Sequence, residues 1–512
     1  MSLLRLTDIL ILIFRKIKYK ALYGQRAVRR ATGKISGEKS FCFYRQTFPA
    51  RRKTNRQRTE KRTMPRLFGT DGARGVANSE LTCELAMKIG RAAAVVLAGA
   101  GKSRPKILIG QDPRISSQML EAALTAGICS VGADVLRIGT VPTPAVAYLV
   151  KKYEADAGVM ISASHNSCEY NGIKLFSGTG FKLSDELEDK IEELVKSGVY
   201  DGAHPIGENV GRVIEMPNAV EDYINHIVST VDVRFDGMKV ALDCANGSSS
   251  VCAEQLYKRL GAEVAVIHNH PDGININDKC GSTHMESLKA FVKSNGMDIG
   301  LAFDGDADRC LAVDSDGNLV DGDVLIAIAA LDMKKRGKLK NDTAVVTVMT
   351  NMGFWKFAEQ NGINVNKTAV GDRYVLEEML KNDYVIGGEQ SGHIIFREFA
   401  TTGDGELTGV QLLAAMKREG KTLRRLAGIM KIYPQTLKNV VVTPEGKAAY
   451  GEDCEIKSVI ESVENELSSD GRVLVRLSGT EPKIRVMLEG TDLSDIERLA
   501  DKIVDKIKER LL

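Results

Sequence analysis

The chain has 512 residues, 43% apolar and 27% charged, the proportions of a soluble globular protein too long for one ordinary core, so three or four domains are expected. Its net charge of +3 conceals a split: residues 1–63 hold 18 Lys/Arg against 3 Asp/Glu, a net of +15, while the remainder carries −12. A nucleic-acid-binding reading rests on the basic tail alone, so no nucleic acid is expected as a partner, and the apolar run Ile9–Phe14 is far short of the about 20 residues that cross a bilayer, so no membrane insertion is expected.

The basic segment lacks the small-residue cleavage site of a secretory signal. Its Arg-rich, acid-poor composition is compatible with a transit peptide, and the run at Arg51, Arg52 and Lys53 with a solvated or nucleic-acid-binding stretch. The plainer reading is preferred: residues 1–63 are a disordered or non-native extension outside the functional protein, which starts at Met64. Nine cysteines, odd in number and without a C-x-x-C pair, read as reduced thiols of a cytoplasmic protein rather than a zinc site.

From residue 64 to about 430, short β-branched runs alternate with amphipathic helices, which predicts several α/β units. Gly99–Ser103 resembles a phosphate-binding loop but has Val96 where the first glycine belongs, and Gly178-Thr179-Gly180 lacks the third glycine of a dinucleotide fingerprint. Residues 106–110, 239–243 and 344–348 read as buried strands. Between the first two lies Ser162-Ala163-Ser164-His165-Asn166, where a serine beside a histidine is as readily an ordinary loop hydroxyl; no G-x-S-x-G elbow marks a hydrolase. Ser184 is placed to cap a helix with acidic residues in its first turn, an apolar face of Leu187, Ile191, Leu194 and Val195, and a stop at Gly198.

The most informative segment is Asp304-Gly305-Asp306-Ala307-Asp308-Arg309, set between two apolar runs. Three carboxylates this close repel one another unless a cation joins them, and all-oxygen ligation suits Mg²⁺ before Ca²⁺. An EF-hand is excluded, because its sixth position is Arg309 rather than Gly and its twelfth is Ser315 rather than Glu. Farther on, Gly387–His393 offers donors and acceptors on a flexible backbone, either a turn or a reader of sugar hydroxyls. In Arg476–Arg485, two arginines flank a Ser-Gly-Thr turn, a combination suited to a phosphate dianion. Strand-like residues 472–476 and 484–488 precede a helix with Ile496, Leu499, Ile503 and Ile507 on one face, predicting a smaller α+β domain. Polar breaks near 217–221, 316–322 and 432–437 divide the chain.

These loops, in this order, closely resemble the α-D-phosphohexomutase superfamily over about residues 65–512. The opening Arg66–Gly75, the segments Asn275-Ile276-Asn277 and Cys280–His284, and Gln390 in the sugar loop are similar to its phosphoglucosamine mutase branch. One departure is Ser167, where the family usually has Pro; the change should loosen the loop by up to roughly 1 kcal/mol without removing a reacting group.

The resemblance implies an α/β, four-domain architecture around a central cleft: 64–219 with the phosphoserine loop, 220–318 with the metal loop, 319–434 with the sugar loop, and 435–512 with the phosphate loop. Ser164 would be carried as phosphoserine and would join Asp304, Asp306 and Asp308 around one Mg²⁺. Arg74, His165, Lys174 and Arg309 would offset the negative charge. Lys174 is the first choice for moving the substrate hydroxyl proton and His165 the second. Glu389, Ser391 and His393 would contact the sugar, and Arg476, Ser478, Gly479, Thr480 and Arg485 its distal phosphate. The implied reaction interconverts glucosamine 6-phosphate and glucosamine 1-phosphate through a 1,6-bisphosphate, feeding UDP-N-acetylglucosamine and peptidoglycan precursors. A phosphoglucomutase or phosphomannomutase is the alternative, and a non-catalytic sugar-phosphate-binding regulator a remoter one. Assembly is left open, with a homodimer the arrangement entertained.

Overall fold

The computed structural model describes residues 66–69, 71–97, 104–198, 204–478 and 482–512. The extension 1–63, the Gly99–Ser103 decoy, Gly479 and Thr480 lie outside the described residues.

Four sheets follow one another along the chain. The first orders its strands as Ala73–Val76, Tyr170–Ser177, Ala157–Ile161, Lys106–Gln111, Asp134–Thr140 and Val213–Glu215. Its middle is parallel, because Lys106–Gln111 returns to Asp134–Thr140 and Ala157–Ile161 through the helices Ile115–Cys129 and Thr143–Lys152. Covered on both faces, Ala157–Ile161 buries all five residues, which explains its unbroken apolar sequence. The second sheet runs Leu319–Val320, Cys310–Asp314, Ile299–Phe303, Lys239–Asp243 and Glu263–Ile267. The third runs Asn364–Thr368, Thr343–Thr347, Ile386–Gly388 and Ile394–Phe396.

The last sheet is antiparallel: Gln435–Val441, Lys483–Gly490 and Gly471–Leu477. The helix Leu493–Leu511 lies against it. Ile496, Leu499, Ile503 and Ile507, spaced at helical intervals, are buried there, each gaining about 1.5–3 kcal/mol by transfer from water.

The polar stretch 316–322 holds a tight turn and the short strand Leu319–Val320, which pairs with Cys310–Asp314 and extends the second sheet to Val320. Asp314 makes the turn by accepting from the backbone N–H groups of Asp316 and Asn318, and Gly317 supplies the left-handed residue. Ser184 occupies the N-cap of Asp185–Ser197 but makes no side-chain capping bond; Arg66 and Arg373 pair with Asp185 there instead.

One core runs through the first three sheets, from Leu108 and Val146 through Tyr223 and Leu301 to Val346 and Leu413, and the other face of the first sheet packs a second around Ile109, Leu124 and Val159. The fourth has its own, around Val440, Ile484, Ile496 and Ile503. In each of the first three sheets a loop leaves the carboxyl end of a parallel strand: after Ile161, Phe303 and Gly388. That end is where open α/β sheets bind ligands.

Candidate active site

The aspartate loop joins two fully buried strands, Ile299–Phe303 and Cys310–Asp314. Turning in so few residues forces Ala307 to a φ of 56°. Asp304, Asp306 and Asp308 are all buried, with carboxylate oxygens within 4.8 Å of one another. Burial, then Asp308 and Asp306, push the Asp304 carboxyl well above the usual range. Burial acts on Asp308 in the same sense, but Lys174, His393 and Arg309 outweigh it and hold that carboxyl below its usual value.

Ser164 reaches this cluster from the first sheet. It is 1% exposed, its φ is 52°, and its Oγ donates to Asp304 Oδ2 at 2.6 Å. Its N–H donates to Ser162 Oγ, which donates to Asp112 Oδ2 at 2.6 Å. Arg114, fully buried against Asp112 at 2.8 Å, donates to the carbonyls of Ser164, Asn166, Ser167 and Tyr170. A residue with left-handed φ is strained unless its surroundings over-determine it, and here they do.

The expected cations surround the cluster. Lys174 Nζ lies 2.7 Å from Asp306, 3.1 Å from Asp71 and 3.5 Å from Asp308. Arg74 pairs with Asp71, and Arg309 gives its backbone N–H to Asp304 while its guanidinium stands 3.8 Å from Asp308. His165 Nδ1 is 3.4 Å from Ser164 Oγ. Burial, then Arg309 and Arg74, push its imidazole down to about 4, so the ring is neutral at neutral pH. For Lys174, burial opposes the charge, yet Asp306, Asp71 and Asp308 more than offset it and hold the ammonium above its usual value. On this balance the imidazole can accept a proton and the ammonium can give one.

The sugar-loop residues divide. Glu389 and Ser391 are half-buried; Glu389 accepts from Gly371 N–H at 3.0 Å, and Ser391 Oγ has no hydrogen bond. Gln390 donates to Asp321 Oδ2, tying the loop to the helix Gly322–Lys335. His393 is only 3% exposed: Gly403 N–H donates to its Nε2, while Asp308 and Asp372 stand 3.6 Å from its two ring nitrogens. It buttresses the aspartate loop and is not presented to a sugar, contrary to expectation. In the fourth sheet Arg476 and Arg485 sit directly opposite each other on adjacent antiparallel strands. Burial and then Arg485 lower the Arg476 pKa, as expected for two like charges on neighbouring strands. Ser478 is buried, its N–H bonded to Lys483 O and its carbonyl to Lys447.

Comparison with known proteins agrees with this arrangement. The α/β/α domains I, II and III of the phosphoglucomutase/phosphomannomutase family match residues 65–200, 221–317 and 321–433, and that family's C-terminal domain matches 437–506. A phosphoglucosamine mutase of Acetivibrio thermocellus is 56% identical over 448 residues, covering 88% of this chain and 100% of the relative. One from Clostridium novyi is 54% identical over 447 residues, covering 87% and 99%. The chain belongs to the phosphoglucosamine mutase family of phosphohexomutases.

Solved structures extend the fold likeness of this phosphohexomutase. A phosphoglucomutase/phosphomannomutase family protein from Burkholderia thailandensis has a TM-score of 0.74 at 22% identity, covering 87% of this chain and 98% of its own. An N-acetylphosphoglucosamine mutase of Aspergillus fumigatus, solved with GlcNAc-6P and magnesium, has a TM-score of 0.63 at 17% identity, covering 89% and 97%.

The phosphohexomutase site also fits a divalent cation on its own geometry. Asp306 Oδ1 and Asp308 Oδ1 are buried oxygens with no hydrogen-bond partner, and an all-carboxylate set suits Mg²⁺. A second cluster, Asp243, His268 and Cys280, also has ligand-type atoms within 4.8 Å of one another. There the Asp243 carboxylate is occupied by the N–H groups of Ala245 and Gly281 and by His268 Nδ1 at 3.0 Å.

Several site residues escaped the sequence reading. Thr143 Oγ1 donates to Asp306 Oδ2 at 2.6 Å, and Lys182 bridges Asp71 and Asp372 at 2.7 and 2.6 Å. Arg114 had a legible signal: an Asp112–Arg114 charge pair placed directly after an apolar strand.

Proposed function

We propose that the chain interconverts glucosamine 6-phosphate and glucosamine 1-phosphate, with Ser164 as the residue that gives and takes the phosphoryl group. The observation carrying this reading is the 2.6 Å bond from Ser164 Oγ to Asp304 in a buried cluster of three aspartates. A serine hydroxyl is a poor nucleophile, so its use here is as a carrier, phosphorylated before substrate arrives. Identity of 54–56% to phosphoglucosamine mutases supports the amino-sugar substrate.

In the first half-reaction the bond from phosphorus to Ser164 Oγ breaks and one to the sugar 1-hydroxyl oxygen forms. The hydroxyl proton must pass from the sugar to Oγ, and neutral His165, 3.4 Å from Oγ, is suited to carry it. The bisphosphate then turns end for end, and the same transfer runs backwards from position 6. A divalent cation held by Asp304, Asp306, Asp308 and the Ser164 phosphoryl oxygen would offset charge as the phosphoryl group moves. Lys174, Arg74 and Arg309 would balance a site where the negative charge of three carboxylates and a phosphoserine outweighs the +2 of a divalent cation. Arg476 and Arg485, with Ser478, Gly479 and Thr480, would grip whichever phosphate is not reacting. Glu389 and Ser391 remain candidates for the sugar.

The product would enter UDP-N-acetylglucosamine synthesis in the cytoplasm, a location that eight unpaired cysteines among the described residues support. No described helix is long and apolar enough to cross a membrane. Ser164→Ala should abolish turnover while glucosamine 6-phosphate still binds, measured by calorimetry. Activity near wild type would end the carrier reading, and a preference for glucose or mannose phosphates would reassign the substrate.

A further inference from the structure

Building on Ser164 as the phosphoryl carrier, we propose that Asn277 is a positioning residue that keeps the serine backbone in register with the aspartate loop. The two reacting parts belong to different sheets: Ser164 follows a strand of the first, the aspartates a strand of the second. The contact of Ser164 Oγ with Asp304 therefore depends on how firmly the serine loop is tied to the second sheet.

Two side chains hold the carbonyls of that loop. Arg114 Nη2 donates to Ser164 O at 2.9 Å and to Asn166 O at 2.7 Å, but Arg114 belongs to the serine's own sheet and cannot fix it against another. Asn277 Nδ2 donates to the same two oxygens, at 2.9 and 3.1 Å, from the second sheet's side. Its amide orientation follows from this contact, because the flipped amide would set Oδ1 against two carbonyl oxygens.

Asn277 is itself anchored beside the aspartates. Its N–H donates to Ala245 O at 2.9 Å, and Ala245 N–H donates to Asp243 Oδ1 at 2.9 Å. Asp243 ends the strand Lys239–Asp243, which pairs directly with the strand leading into Asp304. A φ of 60° at Asn277 aims the amide, a conformation asparagine tolerates better than most residues. The junction has no slack: a Cβ at Gly305 would lie 2.6 Å from Ser164 O and 2.7 Å from Asn277 Nδ2. Through this short chain of bonds the left-handed Ser164 is over-determined from both sides of the boundary.

The test uses the full-length, Ser164-phosphorylated protein with Mg²⁺. Asn277→Gly keeps the left-handed backbone accessible and deletes the amide, and Asn277→Asp keeps the shape but loses the donor. Both should lower kcat about ten- to a hundredfold, the scale of a misplacement near 1 Å, while KM for glucosamine 6-phosphate stays within about twofold. Hydrogen exchange in residues 163–168 should quicken in both variants, with melting temperature and exchange elsewhere unchanged. Asn277→Ser, which retains one donor on a shorter arm, should fall between, and it serves if the glycine variant does not fold. Wild-type kcat, or unchanged exchange in the serine loop, would overturn the proposal; so would a loss of activity that only tracks a lower melting temperature. If the wild-type protein does not turn over glucosamine phosphates at all, the substrate reading fails, while the exchange measurement still decides the role of Asn277.

Discussion

Replacing Glu489 by Gln should remove a pH-dependent component of stability at the seam between the third and fourth sheets. Glu489 is fully buried, 2.9 Å from Arg472, and it accepts the backbone N–H of Met352 at 3.0 Å. Burial pushes its carboxyl up to about 7 although Arg472 pulls the other way. In the unfolded chain the group ionises near 4.5, so between these values the folded protein keeps a proton that the unfolded chain has lost. Its contribution to stability is whole below about pH 4.5, declines as pH rises, and is gone above about pH 7. The gap corresponds to about 3 kcal/mol. Glutamine has no proton to lose, so the unfolding free energy of the wild type should fall relative to Glu489→Gln by about that amount from pH 5 to about pH 8. Asp323, also raised to about 8 by burial, is common to both proteins and drops out of the difference to first order. Urea unfolding followed by Trp355 fluorescence is the assay, because the chain's single tryptophan sits in Met352–Gln360, the helix whose first N–H Glu489 accepts. A difference that stays flat across that range would refute the reasoning.

Other outcomes follow from the same geometry. Arg485→Ala should weaken binding of the sugar phosphate about ten- to a hundredfold, as one charge-assisted bond worth about 1.5–3 kcal/mol is lost from the strand pair it shares with Arg476; unchanged affinity would remove this strand pair from the site. Thr143→Val should cost about 1–2 kcal/mol of stability and reduce kcat, since Asp306 Oδ2 loses its 2.6 Å donor, and a chemical melt with parallel kinetics would detect both. Chelation of divalent cations should stop turnover, and adding Mg²⁺ to chelated protein should release protons wherever in the acidic range Asp304, raised by burial and by Asp308 and Asp306, still holds its proton. Calorimetry in buffers of different ionisation enthalpy reports that release, and its absence would contradict Asp304 as a ligand.

The sequence carried what is local. Asp304, Asp306 and Asp308 announce themselves because alternate carboxylates in six residues have few other uses, and the parallel strands because burial on both faces enforces apolar runs. What could not be read is what the tertiary fold brings together. Ser164 and Asn277 are 113 positions apart, Thr143 and Asp306 163, and nothing in the spacing of either pair predicts a hydrogen bond. His393 misled for a related reason. A histidine in a glycine-rich loop looks accessible, but Gly403 and the aspartates on either side draw it inward.

The separate core of the fourth sheet makes residues 435–512 a replaceable part. Its apolar contacts, Val440 and Ile484 against Ile496 and Ile503, close on themselves, whereas sheets one to three are packed through common side chains. A chimera that takes this segment from a distant homologue has one seam to preserve, where Glu489 accepts from Met352 N–H and Arg472 donates to Thr350 O. Such a hybrid would exchange the arginine pair and leave the serine and its aspartates untouched, so selectivity for the anchored end of a sugar could be bred independently of the transfer chemistry.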